Sequence, residues 1–378
     1  MVKISEFSAL IPKEDLIQNF SIKSYPEYSD SELKKELKKN PISYLKILEK
    51  NRGKTNFNEI KKKIENFKTN KILIKKKPSI FIYQQLDRDI KYIGIICGIS
   101  TNDYEQGFIK IHENTLKKRQ ELFERYLEKC KIHAEPVLLT YKNNKNIQKF
   151  IDLTIQNKPK YEFQSNDKIV HKIWEINNRE SISTLKKYFQ KIKSLYIADG
   201  HHRMSSSYSY NKSNGLNNPC LAYIVASDQL KLESFHRVIS KSETYEKKLL
   251  KFIKTNPHLI SQNKILPIKK NEIKIFIKNK WITLITENKD IPVFVLSNLI
   301  FKQLLNIKDL SKNDKIKYIP NSKLDLDKLK AENRLIFLLP TINISTIIDT
   351  ANKNDTMPPK STYINPKLRT GLIIMELK

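Results

Sequence analysis

The chain has 378 residues, 39% of them hydrophobic, which is enough to bury a substantial core as two domains or as one large domain with an appendage. No apolar run approaches the roughly 18–20 residues that span a bilayer, Met1–Glu6 lacks a signal-peptide core, and Cys97, Cys130 and Cys220 form no CxxC pair; a cytoplasmic protein with reduced thiols and no membrane contact is expected. The formal charge of +30 comes from 70 basic residues of which nine are Arg, and the Lys excess runs along the whole chain together with Ile and Asn, as AT-rich coding would produce, so a nucleic-acid partner is not expected.

Residues 1–50 read as a compact opening segment punctuated by Pro12, Pro26 and Pro41, with Phe7–Pro12 and Asn40–Leu45 as its apolar stretches. Lys54 to about Ile74 reads as a helix with Phe57, Ile60, Ile64 and Phe67 on one side. Ser79–Gln85 and Tyr92–Ile99 read as strands joined in a hairpin by the charged turn at Asp87–Lys91. Asp103–Thr115 leads into a helix carrying Leu122, Phe123, Tyr126, Leu127 and Cys130, with Thr115 as its cap. His112 and Glu113 stand at that junction, an imidazole beside a carboxylate, suited to moving protons. Pro136–Tyr141 reads as a strand, Asn143–Ile151 as a lysine-rich connection, Val170–Ile176 as a strand and Ser183–Ile192 as a helix.

Leu195–Tyr196–Ile197–Ala198 then suits a buried strand that breaks at Asp199–Gly200 and continues as His201–His202–Arg203, with helical character from Met204 to Tyr210. Gly200 lets the backbone turn sharply and lets a ligand approach, and the first-turn N–H groups beyond it attract an anion. Asp199 can cap the helix or hold a metal ion; His201 and His202 can donate to phosphate oxygens or move protons; Arg203 can grip an oxyanion bidentately. Zinc is disfavoured, because adjacent helical histidines point about 100° apart.

Asn211–Pro219 reads as a loop, Cys220–Ser227 as a buried strand, and Leu230–Ile239 as a further strand whose end carries His236–Arg237, a second anion grip. Glu243 to about Lys330 reads as lysine-rich sequence with short strands such as Ile273–Ile277 and Trp281–Ile285 and no catalytic cluster. Leu335–Pro340 is a buried strand, Ile344–Ala351 a helix, and Met357–Tyr363 a proline-fixed loop presenting Lys360, Ser361 and Thr362.

Six of these stretches, in order, resemble a known family. Phe7–Pro12, Asn40–Leu45, Asp103–Gly107 leading to His112–Thr115, Ala198–Arg203, His236–Val238 and Met357–Thr362 together resemble the family catalogued as domain of unknown function 1015, over nearly the whole chain. Its Asp-Gly-His-His-Arg element is also similar to that of ParB/sulfiredoxin-like free serine kinases, a likeness confined to one short motif. This chain departs from the family pattern in having Leu116–Lys117 where Arg-Pro is usual, with Arg119 or Arg125 as substitutes, and Met204 where an aromatic is usual.

The resemblance implies an α+β fold with a mixed-sheet core and a ParB/sulfiredoxin-like strand-turn-helix. Residues 1–240 would be the catalytic, phosphate-binding portion, and residues 241–378 a C-terminal α+β portion folding back so that Lys360 reaches the cleft. The implied activity is phosphoryl transfer between ADP or ATP and serine or O-phosphoserine. In it Glu113 activates the hydroxyl, with His112 beside it, and Asp199 holds Mg²⁺. Gly200, His201, His202 and Arg203 hold the phosphoryl group, and His236, Arg237, Lys360, Ser361 and Thr362 contact phosphate or substrate. The same site with water as acceptor gives a phosphoserine phosphatase. The other alternative is a non-enzymatic ParB-like module that binds nucleotide and associates with DNA, against which stands the lack of a helix-turn-helix signature.

Overall fold

The computed structural model describes residues 1–48, 56–256, 259–287, 290–310, 313 and 315–378. The chain is α+β and forms two compact units. One comprises Met1–Ile111, Thr115–Leu230 and Pro366–Lys378; the other comprises His112–Asn114 and Lys231–Asn365.

A mixed sheet of 12 strands organises the first unit, along the order Ile109–Lys110, Leu195–Asp199, Val137–Tyr141, Cys220–Ala226, Ile90–Ile99, Leu73–Asp87, Phe7–Pro12, Ile374–Glu376, Ile132–His133. The expected hairpin is present, with Phe81 opposite Ile96 and Asp87 opposite Ile90, and its first strand also pairs antiparallel with Val170–Ile176. Cys220–Ala226 is buried at every position, as its unbroken apolar run requires of a strand covered on both faces. Leu195–Asp199 lies between a parallel neighbour, Ile109–Lys110, and an antiparallel one, Val137–Tyr141. Its apolar residues share a core with Ile147, Ile151, Ile182, Leu185, Phe189 and Met204 from the helices.

Several helices differ from the expected ones. Asn143–Ile151 is no open connection: Lys145–Thr154 is a helix whose start is capped by the Asn144 side chain, accepting from Asn146 N–H and Ile147 N–H. Its lysines obscured the buried pair Ile147 and Ile151, four residues apart. In the helix Lys117–Cys130, Leu127 and Cys130 are buried while Leu122 is 43% exposed, because it falls one step off the 123-126-127-130 stripe. Its N-cap is Leu116, which makes no side-chain cap, so Thr115 does not take that place. The helix expected from Lys54 is seen over Phe57–Thr69, and residues 54 and 55 lie outside the described residues.

The second unit carries an antiparallel sheet of seven strands, along the order Ile260–Gln262, Lys280–Ile285, Glu272–Ile277, Arg334–Leu338, Lys231–Ser240, Ile316–Pro320, with Thr362–Asn365 on the long strand Lys231–Ser240. Glu243–Thr255 is a helix capped by Ser242, where the sequence reading had short strands. Among the described residues no helix is long and apolar enough to cross a membrane.

A chain of polar groups runs through the first unit beside its core. His171 is fully buried, its ring stacked against Tyr83 and Phe163 at centroid distances of 5.9 and 4.8 Å. Its Nδ1 is 2.8 Å from the Tyr83 hydroxyl and its Nε2 is 2.9 Å from Ser165 Oγ. Burial, then the positive charge of Arg369, pushes the His171 imidazole down to about pKa 3 from 6.5. The fold therefore holds His171 neutral. Below pH 6.5 the unfolded chain binds a proton that the folded chain refuses. The His171 contribution to stability is thus complete above pH 6.5 and is lost progressively as the pH drops towards about 3. Urea midpoints measured between pH 8 and pH 5 should fall on acidification for the wild type and fall less steeply for His171→Gln; equal slopes would remove His171 from the acid response.

Candidate functional site: the Asp199–Arg203 turn

Strand Leu195–Asp199 ends in a register shift against Val137–Tyr141, and the chain then reverses at Gly200 into the helix His201–Asn214. Gly200 has φ of +97°, a conformation that disfavours any side chain. It also lacks room for one, because a Cβ there would stand 2.9 Å from Arg203 Nη2 and 3.0 Å from Arg203 Nε. The Arg203 side chain thus lies folded over Gly200. The N-cap residue, Gly200, offers no side chain as a cap, and the first turn of the helix holds no acidic residue to offset its positive end. Asp199 ends the strand, and its side chain is 47% exposed.

Arg203 is held in place by groups distant in sequence. Its Nη1 donates to Glu135 Oε1, and its Nη2 is 3.8 Å from Asp199 Oδ1. Glu135 also accepts from Thr370 Oγ1 at 2.6 Å, and Ser24 Oγ is 3.3 Å from both of its carboxylate oxygens. The pair is largely buried, with 14% of the Arg203 side chain and 21% of the Glu135 side chain exposed. His133 is buried nearby; burial, then the charge on Arg203, lowers its pKa to about 4, so it stays neutral.

The two histidines of the turn differ. His202 Nε2 accepts the N–H of Leu116 at 2.9 Å, which sets its neutral tautomer with the hydrogen on Nδ1 and ties the turn to the start of helix Lys117–Cys130. His201, the first residue of the helix, is 7% exposed. The two helices are also joined through Gln120, which bonds Ser205 and Ser209 at 2.8 and 2.7 Å.

The remaining residues singled out in the sequence gather in the second unit. The carbonyl of His112 accepts Met357 N–H at 2.7 Å, and Asn114 Nδ2 donates to Thr356 Oγ1 at 3.1 Å, so the His112–Asn114 segment is pinned to the loop that begins the Met357–Thr362 motif. Arg237 is buried, donating to Phe235 O at 2.5 Å and Pro359 O at 3.3 Å, with its guanidinium 5.2 Å from the Tyr318 ring centroid. Burial lowers its pKa to about 10, which leaves it cationic at neutral pH. Glu113 lies close enough to raise the Tyr318 phenol, after burial and against Arg237. His236 accepts Leu339 N–H on Nδ1 at 3.2 Å and meets Asn321 Oδ1 at 3.1 Å through Nε2; burial first of all lowers its pKa. Lys360 places its ammonium 5.6 Å from the Phe235 ring centroid, Ser361 Oγ donates to Pro358 O at 2.6 Å, and Thr362 pairs with Ser234.

Glu135, Thr370 and Ser24 were not picked out from the sequence. The available signal was weak: Glu135 precedes Pro136 at the start of a strand, and nothing in spacing links it to residues 24, 203 or 370. Among the described residues no group of three or more His, Cys, Asp or Glu side chains is placed to hold a metal ion. A magnesium ion at Asp199 would therefore take most of its oxygens from water and a phosphorylated ligand, as Mg²⁺ commonly does.

The Arg203–Glu135 contact is partly buried, so Arg203 has a structural share as well as its expected binding role. Removing one partner of such a pair leaves the other charge poorly solvated, and Arg203→Ala or Glu135→Ala should each destabilise the fold by about 1–3 kcal/mol. A double-mutant cycle by urea unfolding should give a coupling of roughly 1 kcal/mol or more; a coupling near zero would mean the contact is no stronger than a solvated surface pair.

Comparison with known proteins finds no match among curated proteins. Among solved structures, SbnI with C-terminal truncation from Staphylococcus aureus superposes with a TM-score of 0.41 at 11% identity, over 71% of this chain and 82% of that one. A mutant free serine kinase in complex with AMP gives 0.41 at 14% identity, over 78% and 95%. A conserved hypothetical protein from Pyrococcus furiosus gives 0.36 at 12% identity, over 74% and 95%. Superpositions this loose carry no weight for fold or chemistry. The family model described as Protein of unknown function (DUF1015) matches residues 4–316, most of the length, and the chain belongs to that family.

Proposed function

We propose that the Asp199–Arg203 turn binds the phosphoryl group of a small molecule and that the chain is a phosphotransferase acting between ADP or ATP and serine or O-phosphoserine. The observation that carries the binding part is the start of a 14-residue helix at a positive-φ glycine, with a guanidinium held over that glycine. Backbone N–H groups at such a start bind phosphate without a lysine or a catalytic side chain. Phosphoryl transfer asks little more of a protein than alignment and charge neutralisation. The choice of serine is supported by the likeness of Asp199–Arg203 to the motif of free serine kinases.

Charge balance brings a cation into this reading. Arg203 supplies one positive charge, and Glu135 and Asp199 beside it supply two negative ones. A nucleotide polyphosphate approaching that group is opposed unless a divalent ion comes with it. Mg²⁺ shared between the exposed Asp199 carboxylate and phosphate oxygens meets that need. With Nε2 occupied by Leu116 N–H, His202 orients the turn, while Arg203 and the helix N–H groups meet the phosphoryl oxygens.

Incubated with serine, ATP or ADP, and Mg²⁺, the purified chain should produce the phosphorus NMR resonance of O-phosphoserine. Release of inorganic phosphate from O-phosphoserine and Mg²⁺ alone would instead identify the phosphatase direction. Gly200→Ala should slow either reaction by about 10²-fold or more through misplacement of Arg203 and the first-turn N–H groups. Gly215→Ala is the control, since Gly215 also has positive φ, +61°, but has no atom within 4 Å of a Cβ built there. No turnover in either direction, or a Gly200→Ala variant as active as the Gly215→Ala control, would reject the reading.

A further inference from the structure

We infer that Ser24 is a site at which the chain phosphorylates itself: its hydroxyl takes the terminal phosphoryl group of a nucleotide bound at the Gly200 turn. The inference rests on the phosphate reading above and adds to it an acceptor built into the first unit.

Ser24 follows the two-residue strand Ile22–Lys23, in which Ile22 stands opposite Thr370. Side chains two residues apart on a strand share a face, so Ser24 and Thr370 reach the same carboxylate. Ser24 Oγ is 3.3 Å from each carboxylate oxygen of Glu135, and Thr370 Oγ1 donates to Oε2 at 2.6 Å. The two hydroxyls differ in freedom. Thr370 is 6% exposed and committed to one short bond, whereas Ser24 is half-buried and shares a longer one between two oxygens. Ser24 also precedes the short turn of helix Tyr25–Glu27, where a serine commonly bonds back to the backbone, yet its side chain makes no such cap. Its hydroxyl is directed at Glu135 instead.

Glu135 connects this hydroxyl to the turn. Arg203 Nη1 donates to the same Oε1 that Ser24 Oγ faces, and two hydrogen bonds sharing one acceptor atom hold Ser24 Oγ within roughly 6.5 Å of that nitrogen. The other end of the guanidinium lies over Gly200, with Nη2 2.9 Å from where a Cβ would stand. One guanidinium therefore reaches from the Gly200 turn to the acceptor of Ser24. The phosphorus of a group gripped by Arg203 comes within reach of Ser24 Oγ after rotation about one side-chain bond. In the step, Ser24 Oγ bonds to the terminal phosphorus as the bond from that phosphorus to its bridging oxygen breaks. The hydroxyl proton passes to Glu135, and the nucleotide leaves shortened by one phosphoryl group.

The test omits serine. The full chain is incubated with Mg²⁺ and either ATP or ADP labelled at the terminal phosphorus, then denatured, and the retained label is located by tandem mass spectrometry. Label should appear on Ser24 at a rate per molecule that does not change with protein concentration. Ser24→Ala should lose it, and Ser24→Thr should regain it as phosphothreonine, a result that a merely structural serine would not give. Glu135→Gln should slow labelling about 10²-fold; melting by circular dichroism verifies that each variant is folded. A wild type that phosphorylates free serine, or releases phosphate from O-phosphoserine, yet carries no label on Ser24 would overturn this inference alone. So would label that persists undiminished in folded Ser24→Ala or Glu135→Gln. A wild type that neither turns over these substrates nor acquires label would overturn the phosphate reading, and this inference with it.

Discussion

The geometry of the first unit's turn depends on Arg203 lying across Gly200. That arrangement needs a backbone at φ +97°, a residue with no Cβ, and a carboxylate to hold the guanidinium after it has folded back. Glu135 supplies the carboxylate and is itself fixed by two hydroxyls, from Ser24 and Thr370. Four segments, around residues 24, 135, 203 and 370, therefore meet at one carboxylate. The strand Leu195–Asp199 delivers the turn to that point, and the helix His201–Asn214 leaves from it with Gly200 at its N-cap. A partly buried pair of this kind contributes little net stability over apolar packing, but it specifies one arrangement of its neighbours.

Burial sets the protonation states of two histidines of the first unit. His133 and His171 are held neutral by desolvation, with arginine charge adding to it, and His202 is neutral because its Nε2 accepts a backbone N–H. Imidazoles that titrate near neutral pH in isolation thus serve as fixed acceptors and packing groups. Beside Arg203 stand two carboxylates, those of Glu135 and Asp199. This is why the phosphate reading rests on backbone amides and a divalent ion, and not on the +30 charge of the chain. In the second unit, Arg237 is buried against carbonyls and an aromatic ring, where it fastens the loop at Pro359 to the long strand Lys231–Ser240.

Much of the α+β fold was legible because apolar runs and turns are local. The hairpin over residues 73–99 and the buried strand Cys220–Ala226 follow from β-rich apolar runs and the charged turn between them. The helix Lys145–Thr154 was not legible, since its buried stripe is two isoleucines among lysines and amides and its decisive feature is the Asn144 cap. The turn itself was legible as Asp199–Arg203 because glycine, imidazole and guanidinium types occur consecutively. Its supports were not. Glu135 and Thr370 are ordinary surface-type residues whose role arises only when distant segments are brought within hydrogen-bonding distance. Likewise, nothing in the sequence indicated that His112–Asn114 groups with residues 231–365.

The central claim is that the first-turn amides of helix His201–Asn214 bind an oxyanion, and backbone NMR reports on those amides directly. In a ¹⁵N-labelled sample titrated with O-phosphoserine in the presence of Mg²⁺, the amide signals of His201, His202 and Arg203 should shift together and saturate at one affinity, with the Arg203 Nε–H following them. Shifts that leave these amides unmoved and spread without saturation over the lysine-bearing surface would contradict the account.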